Sequence, residues 1–387
     1  MNGIEAFQHL LAEATAWRHH LHENPELEYR LYSTAGFVAE KLASFGVDHI
    51  ETGIAETGIV ALIDGKCGNG PTIALRADMD ALPILEHSEK LWSSKVPGKM
   101  HACGHDGHTA MLLGAAKYLA TARRFKGSVA LIFQPAEESG VGGQRMVQAG
   151  IMDRFSITKV FGLHNVPGIE VGKFGICPGP IMAALDEFDL IVKGRGGHAA
   201  KPHEAIDPVV IAAQIIVGLQ TLVSRNTNPM EALVISVTKL NAAQAYNVIP
   251  DQVELAGSIR TLVPGLRDFA QGQIFAAARG IARGFGADVE FEYCRSAPVT
   301  INHPEETNLA VKAARNLVGP ACVDEKISPR MGSEDFAYML EARPGAIIFL
   351  GNGSTAGLHH PAYDFNDDAL PYGIGYWVNV VETVLAP

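Results

Sequence analysis

Apolar residues recur at helical spacing over positions 4–22 and 33–45, separated by Asn24-Pro25, and this pattern predicts two helices that each pack one face. Uninterrupted apolar runs at 58–63 and 72–75 predict two buried strands, the second leading into Asp78 and Asp80. A third helix is expected over 107–122, where Met111, Leu112, Ala115, Tyr118 and Leu119 share a face, and strands over 128–133 and 159–163. Strands alternating with helices predict a largely parallel sheet covered on both faces. The histidines at 19, 20 and 22 sit at a polar helix end beside Glu23 and Glu26 and read as a solvated surface.

From residue 184 the pattern changes. A strand at 188–192, a helix at 208–224, strands at 232–240 and 253–259, a helix at 266–285 and a strand at 288–293 follow the β-α-β-β-α-β order of a ferredoxin-like, mostly antiparallel unit. The α/β texture then returns with a strand at 346–350 and a last helix at 368–385. The expected fold class is therefore α/β with two domains, one made of residues 1–183 and 296–387 and an inserted α+β domain at 184–295.

Composition supports a folded protein with more than one core: 387 residues, 47% hydrophobic and 19% charged. A net charge of -11 and a pI near 5.7 leave no basic surface for phosphate backbones, so no nucleic-acid partner is expected. No uninterrupted apolar run reaches the roughly 18–20 residues of a bilayer span, and the first residues lack a signal-like core, so no membrane role and a cytoplasmic location are expected. Five scattered cysteines form no disulfide framework, and all but Cys103 read as small buried hydrophobes.

The chemistry concentrates at MHACGHDGHT, residues 100–109. Cys103 and His105 are two apart, so in an extended segment both side chains leave on one face and can converge on one ion. Asp78 and Asp80, Glu137 and Glu138, and His164 each follow a predicted strand, at the carboxyl edge where open α/β sheets carry their sites. Downstream, Glu334 and Asp335 form an acidic pair in a loop or helix start, and His359 and His360 follow the last strand. Cys103, His105, Glu138, His164 and one of His359 or His360 make five ligands. That number exceeds one closed tetrahedral site and suits two ions sharing a bridge.

These runs, together with RADMDALP at 76–83, FQPAEE at 133–138, GLHN at 162–165, GGHAAKPH at 196–203, NVIPD at 247–251 and LHHPAYDFND at 358–367, resemble the M20 metallopeptidase family, and more narrowly its amidohydrolase branch of hippurate hydrolases, N-acyl-amino-acid deacylases and auxin-conjugate hydrolases. The resemblance spans nearly the whole chain. It implies a discontinuous catalytic domain holding two divalent metals, with the insert as a lid or as the module of a homodimer or homotetramer. Cys103 matches the bridging ligand, and His105, Glu138, His164 and His359 match the terminal ones.

Amide hydrolysis calls for a water that loses a proton near neutral pH. Glu137, beside the ligand Glu138, is the expected general base and later proton donor to the amine. His198 resembles the family's transition-state histidine, Asp80 is expected to orient a ligand histidine by a hydrogen bond, and Arg260 and Asn247 are expected to hold the substrate carboxylate. Asp78, Asp106, His108 and Glu334 are expected near the site. The thiolate points to zinc, and the carboxylates accommodate manganese, cobalt or nickel. The reading is an N-acyl-L-amino-acid amidohydrolase. A dipeptidase using the same metals, and a metal-stabilised binding protein without activity, are the rival readings.

Overall fold

The computed structural model describes residues 3–139, 141–242 and 245–387. In chain order, α1 (Leu11–Glu23), α2 (Tyr32–Phe45), β1 (His49–Ile54), β2 (Gly58–Asp64), β3 (Thr72–Asp78), α3 (His105–Ala122), β4 (Ser128–Gln134), α4 (Gly142–Gln148), α5 (Ile151–Arg154), β5 (Ile157–Val166) and β6 (Phe174–Gly175) come first. They are followed by β7 (Gly179–Met182), β8 (Ala184–Lys193), β9 (Gly197–His198), α6 (Pro208–Arg225), β10 (Leu233–Asn241), β11 (Val248–Ile249), β12 (Gln252–Thr261), α7 (Gly265–Gly284), β13 (Asp288–Arg295) and β14 (Thr300–Asn302). The chain ends with α8 (Pro304–Val318), β15 (Val323–Asp324), α9 (Ala337–Ala342), β16 (Gly345–Gly351) and α10 (Leu370–Val384). The helix expected from residue 4 begins only at Leu11. Residues 4–10 instead make two short 3₁₀ turns that bury Phe7 and Leu10.

Two compact units result. The first comprises Met1–Gly179, Ile301–Ser328 and Asp335–Pro387, the second Pro180–Thr300 and Pro329–Glu334. The first unit carries an eight-stranded mixed sheet in the order β1-β2-β4-β3-β5-β16-β6-β15. Its centre, β4-β3-β5-β16, is parallel, and those strands are almost wholly buried, as their unbroken apolar runs require. Asp78 pairs with Gln134 across β3 and β4, and His164 with Phe349 across β5 and β16. The parallel register therefore brings the carboxyl ends of β3, β4 and β5 to one rim.

The second unit is a four-stranded antiparallel sheet in the order β10-β12-β8-β13, the ferredoxin-like arrangement expected from the pattern. Apolar residues of α6 and α7, among them Ile211, Ile215, Leu219 and Ile274, pack on Phe188, Leu190, Val253 and Leu255 of the sheet. Short β9 and β11 form a separate ribbon pairing His198 with Val248. By length and composition alone α6 is apolar enough to cross a membrane, against the expectation that no apolar stretch reaches that length. Its polar positions interrupt the run, and its apolar stripe is used on the sheet. The cysteines also depart from expectation, since Cys294 is exposed and Cys67 and Cys322 are only partly covered.

Candidate metal centre

The site begins at a glycine. Gly104, between Cys103 and His105 in the motif at 100–109, has φ +87°, and a Cβ there would lie 2.3 Å from the Asn165 amide nitrogen and 2.5 Å from the Tyr363 hydroxyl. Only glycine allows this turn and this approach. Asn165 Nδ2 donates to the Cys103 carbonyl at 2.6 Å, and Tyr363 OH donates to Asn165 Oδ1 at 2.7 Å. The turn hands the chain to α3, whose first residue is His105. The loop carrying His359, more than 250 residues away, is fastened to the same motif through its own N–H, which donates to the Ala102 carbonyl at 2.8 Å.

Five ligand-type side chains converge here. His105 donates from Nδ1 to the Asp80 carbonyl at 2.8 Å, leaving Nε2 buried with no hydrogen-bond partner. That atom is 3.8 Å from Glu138 Oε1, which is also buried without a partner, and 4.0 Å from Glu137 Oε2. Glu138 Oε2 lies 3.4 Å from His359 Nε2. His164 donates from Nδ1 to the Asn165 carbonyl at 2.7 Å and turns Nε2 to the Cys103 sulfur at 3.5 Å. Ligand atoms of Cys103, Glu138 and His359 all fall within 4.8 Å of one another, as do those of His105, Glu137 and Glu138. His108 is close by but spent: Nδ1 donates to Asp78 Oδ1 at 2.6 Å and Nε2 accepts the Asn165 N–H at 3.0 Å. His360 uses Nδ1 to accept the Ala362 N–H at 3.0 Å.

Asp80 meets the ligand histidine through its main chain. Its carbonyl accepts the His105 Nδ1–H, while its carboxylate accepts the N–H groups of Glu137 at 2.9 Å and Glu138 at 3.0 Å. One residue thus orients the ligand ring with its main chain and the Glu137–Glu138 turn with its side chain.

The electrostatics favour a cation. Burial opposes charge on His105, yet Asp78, Asp80 and Glu138 outweigh it and push the imidazole up to about 10. Burial would raise Glu138, but His359 and His105 hold it below the usual carboxylate range. Burial pushes the Cys103 thiol well up, and Glu138, Glu137 and Asp78 add to that. Burial keeps His164 neutral, its pKa driven well below the ordinary value. A site of this kind holds a proton on His105 and on the thiol until a divalent cation supplies the balancing charge. The unpartnered His105 Nε2 and Glu138 Oε1, the thiol and the neutral His164 form a donor set that fits such cations.

Asp106, one residue past His105, faces away into a buried group where His22 Nδ1 donates to it at 2.8 Å and Arg18 lies at 3.7 Å. His22 is therefore 1% exposed, contrary to the solvated surface expected of it, because a carboxylate from α3 meets it. His198, Asn247, Arg260 and Glu334 belong to the second unit. His198 is exposed and its Nδ1 accepts the Ala200 N–H at 3.1 Å, Asn247 is in an exposed turn, and Arg260 donates from Nη1 to the Met331 carbonyl at 3.0 Å. Glu334 is buried, its carbonyl accepting from Thr300. Asn165 and Tyr363, which hold the Cys103 turn, were not singled out from sequence, although both lie inside the quoted motifs GLHN and LHHPAYDFND.

The model of peptidase family M20/M25/M40 matches residues 74–383. An N-acetylcysteine deacetylase of Bacillus subtilis is 40% identical over 369 residues, covering 95% of this chain and 96% of that protein. The hippurate hydrolase of Campylobacter jejuni is 40% identical over 381 residues, covering 98% of each. Among solved structures, a dinuclear metal-binding M20 peptidase of Bacillus subtilis superposes with a TM-score of 0.85 at 36% identity, over 98% of this chain and 99% of its own.

Proposed function

The chain belongs to peptidase family M20/M25/M40, and on that premise we propose that it is a metal-dependent amidohydrolase cleaving N-acyl-L-amino acids to a carboxylate and a free amino acid. One observation carries the reading. Cys103, His105, Glu138, His164 and His359 converge at one rim with Glu137, an acid to spare, beside them. The deacetylase and hippurate hydrolase relatives support the substrate class, and the dinuclear neighbour supports two divalent ions.

In this proposal Cys103 would be the ligand shared by two divalent ions, and His105, Glu138, His164 and His359 would complete the set that holds them, with zinc or manganese as the expected metal and cobalt or nickel able to substitute. Bound divalent cations lower the pKa of a coordinated water from about 15.7 towards 7 and polarise the amide carbonyl. Glu137 takes the proton from the attacking water and returns it to the leaving amine. The Asp335 N–H donates to its Oε1 at 3.4 Å and the Asp80 carboxylate holds its main chain, so its direction is set from both ends. His198 stabilises the oxyanion. Its Nδ1 already accepts a main-chain N–H, which leaves the proton on Nε2 as a ready donor. Arg260 and Asn247 hold the substrate carboxylate, the guanidinium having donors beyond the one given to Met331.

The insert serves as lid and as the contact of a homodimer. Its edge strand β10 pairs only with β12 among the described residues, and Val210 and Val217 of the neighbouring α6 are 52% and 68% exposed.

The test is a substrate panel on metal-loaded protein: N-acetyl and N-benzoyl amino acids against dipeptides with free α-amines. The expected result is turnover of the acylated set with little rate on dipeptides. Preference for dipeptides would reassign it as a dipeptidase, and no rate on any amide would leave a metal-stabilised binding protein.

A further inference from the structure

Arg76 is 1% exposed, in the middle of the central sheet, where a guanidinium is costly unless all sides are met. Its register partner on β5 is Gly162. A Cβ at Gly162 would come within 3.1 Å of the Phe336 ring, which lies 5.8 Å from the Arg76 guanidinium. The Arg76 Nε donates to Gln134 Oε1 at 2.8 Å, Nη1 to Asp78 Oδ2 at 2.8 Å and Nη2 to Asp335 Oδ1 at 2.9 Å. Gln134 also donates to both Asp335 oxygens, at 2.7 and 2.9 Å, and the Gly143 N–H donates to Asp335 Oδ2 at 2.6 Å.

Followed outward, the two carboxylates lead to different parts of the centre. Asp78 holds His108 at 2.6 Å, and its other oxygen is 3.7 Å from His105 Nε2. Asp335 leads by its N–H to Glu137 Oε1, and by its side chain to the start of α4, the far end of the turn bearing Glu137 and Glu138. Gly143 itself permits the approach, since a Cβ there would be 2.7 Å from the Asp335 carbonyl. The guanidinium is thus one fork between the carboxylate that lies beside Nε2 of the ligand histidine and the carboxylate behind the acid turn.

We infer that Arg76 is a positioning residue that sets Glu137 relative to the metal ligands through Asp335 and Asp78. The inference rests on the assignment of Glu137 as base made above. Arginine is needed because three acceptors in fixed directions must be met from one planar group; an ammonium keeps the charge but not the directions. Displacing a reacting group by about 1 Å costs on the order of 100-fold in rate.

The test uses the full chain loaded with metal, as wild type, Arg76→Lys, Arg76→Ala and Asp335→Asn. Bound metal per chain is measured by elemental analysis, the ligand field by the visible spectrum of the cobalt-substituted protein, and kcat and KM on N-benzoylglycine. Expected are two ions and an unaltered cobalt spectrum in Arg76→Lys and Asp335→Asn, KM within about threefold of wild type, and kcat lower by about 100-fold. In Arg76→Ala, millimolar guanidinium but not methylammonium should restore part of kcat. Asp335→Asn keeps the Asp335 main-chain donor and the side-chain shape, so it reports even if the arginine variants fold poorly. Wild-type kcat in Arg76→Lys, or metal lost in step with activity, would overturn the inference. A wild type inert on every amide would instead condemn the functional reading itself.

Discussion

His359 and His360 are adjacent, and only one can be the last ligand. Three local facts separate them. His359 has φ +64°, its N–H is tied to Ala102, and its Nε2 is 3.4 Å from Glu138. His360 spends Nδ1 on the Ala362 N–H within its own turn. His359→Ala should therefore weaken one ion by more than the roughly 10- to 100-fold typical of losing a supporting hydrogen bond, whereas His360→Ala should retain both. Chelator competition on the two variants measures this, and the reverse ranking would reassign the ligand. Residues whose partners are near in sequence were legible in this way. Cys103 and His105 were found from their spacing, and Glu137 and Glu138 from the strand before them. Arg76 was not, because apart from Asp78, two residues on, the acceptors that give it its place are 58 and 259 residues off. His22 was misread for the same reason, its carboxylate being 84 residues away on α3.

At the scale of elements, that His22 contact is what joins α1 to the first turn of α3 and to the loop before it. Its imidazole faces Asp106, Glu86, His101 and Arg18. Burial pulls it down, but Asp106 and Glu86 outweigh burial and Arg18 and push it up to about 9 from an ordinary 6.5. A pKa raised by folding means that the folded state binds the proton more tightly. The stabilisation is then complete below about 6.5 and is lost as pH rises through about 9. The gap in thermal midpoint between wild type and His22→Gln should accordingly be widest near pH 6 and narrow towards pH 10; a gap independent of pH would show that His22 contributes by packing alone. The elements themselves were mostly readable, because β2 to β5 are continuous apolar runs and the insert alternates with period two. Strand β1 was not, since it is an edge strand whose residues are mainly exposed or half-exposed, and β6 and β15 are two residues each, too short to carry any period.

For the whole molecule, the second unit poses a problem of surface. Strand β10 runs nine residues along the edge of its sheet with one side unpaired among the described residues. Edges of that length in a monomer are usually blunted by proline, by inward charges or by a covering segment. Here the sole charge on the strand is Lys239, paired with Glu254 at 3.5 Å on the neighbouring strand and so directed inward along the sheet. Beside the edge, α6 exposes Val209, Val210 and Val217, and β10 exposes Val234 and Leu240. An unpaired edge next to uncovered aliphatic side chains is the arrangement that a second copy related by a two-fold axis satisfies, since the same patch meets itself and both edges close together. The metal-loaded protein should therefore sediment as a dimer, and Val210→Glu with Val217→Glu should give a monomer with its metal content intact, since neither side chain belongs to the first unit. Sedimentation velocity over a range of protein concentrations decides it. A monomeric wild type, or a dimer undisturbed by two buried glutamates, would place the association surface elsewhere or remove it.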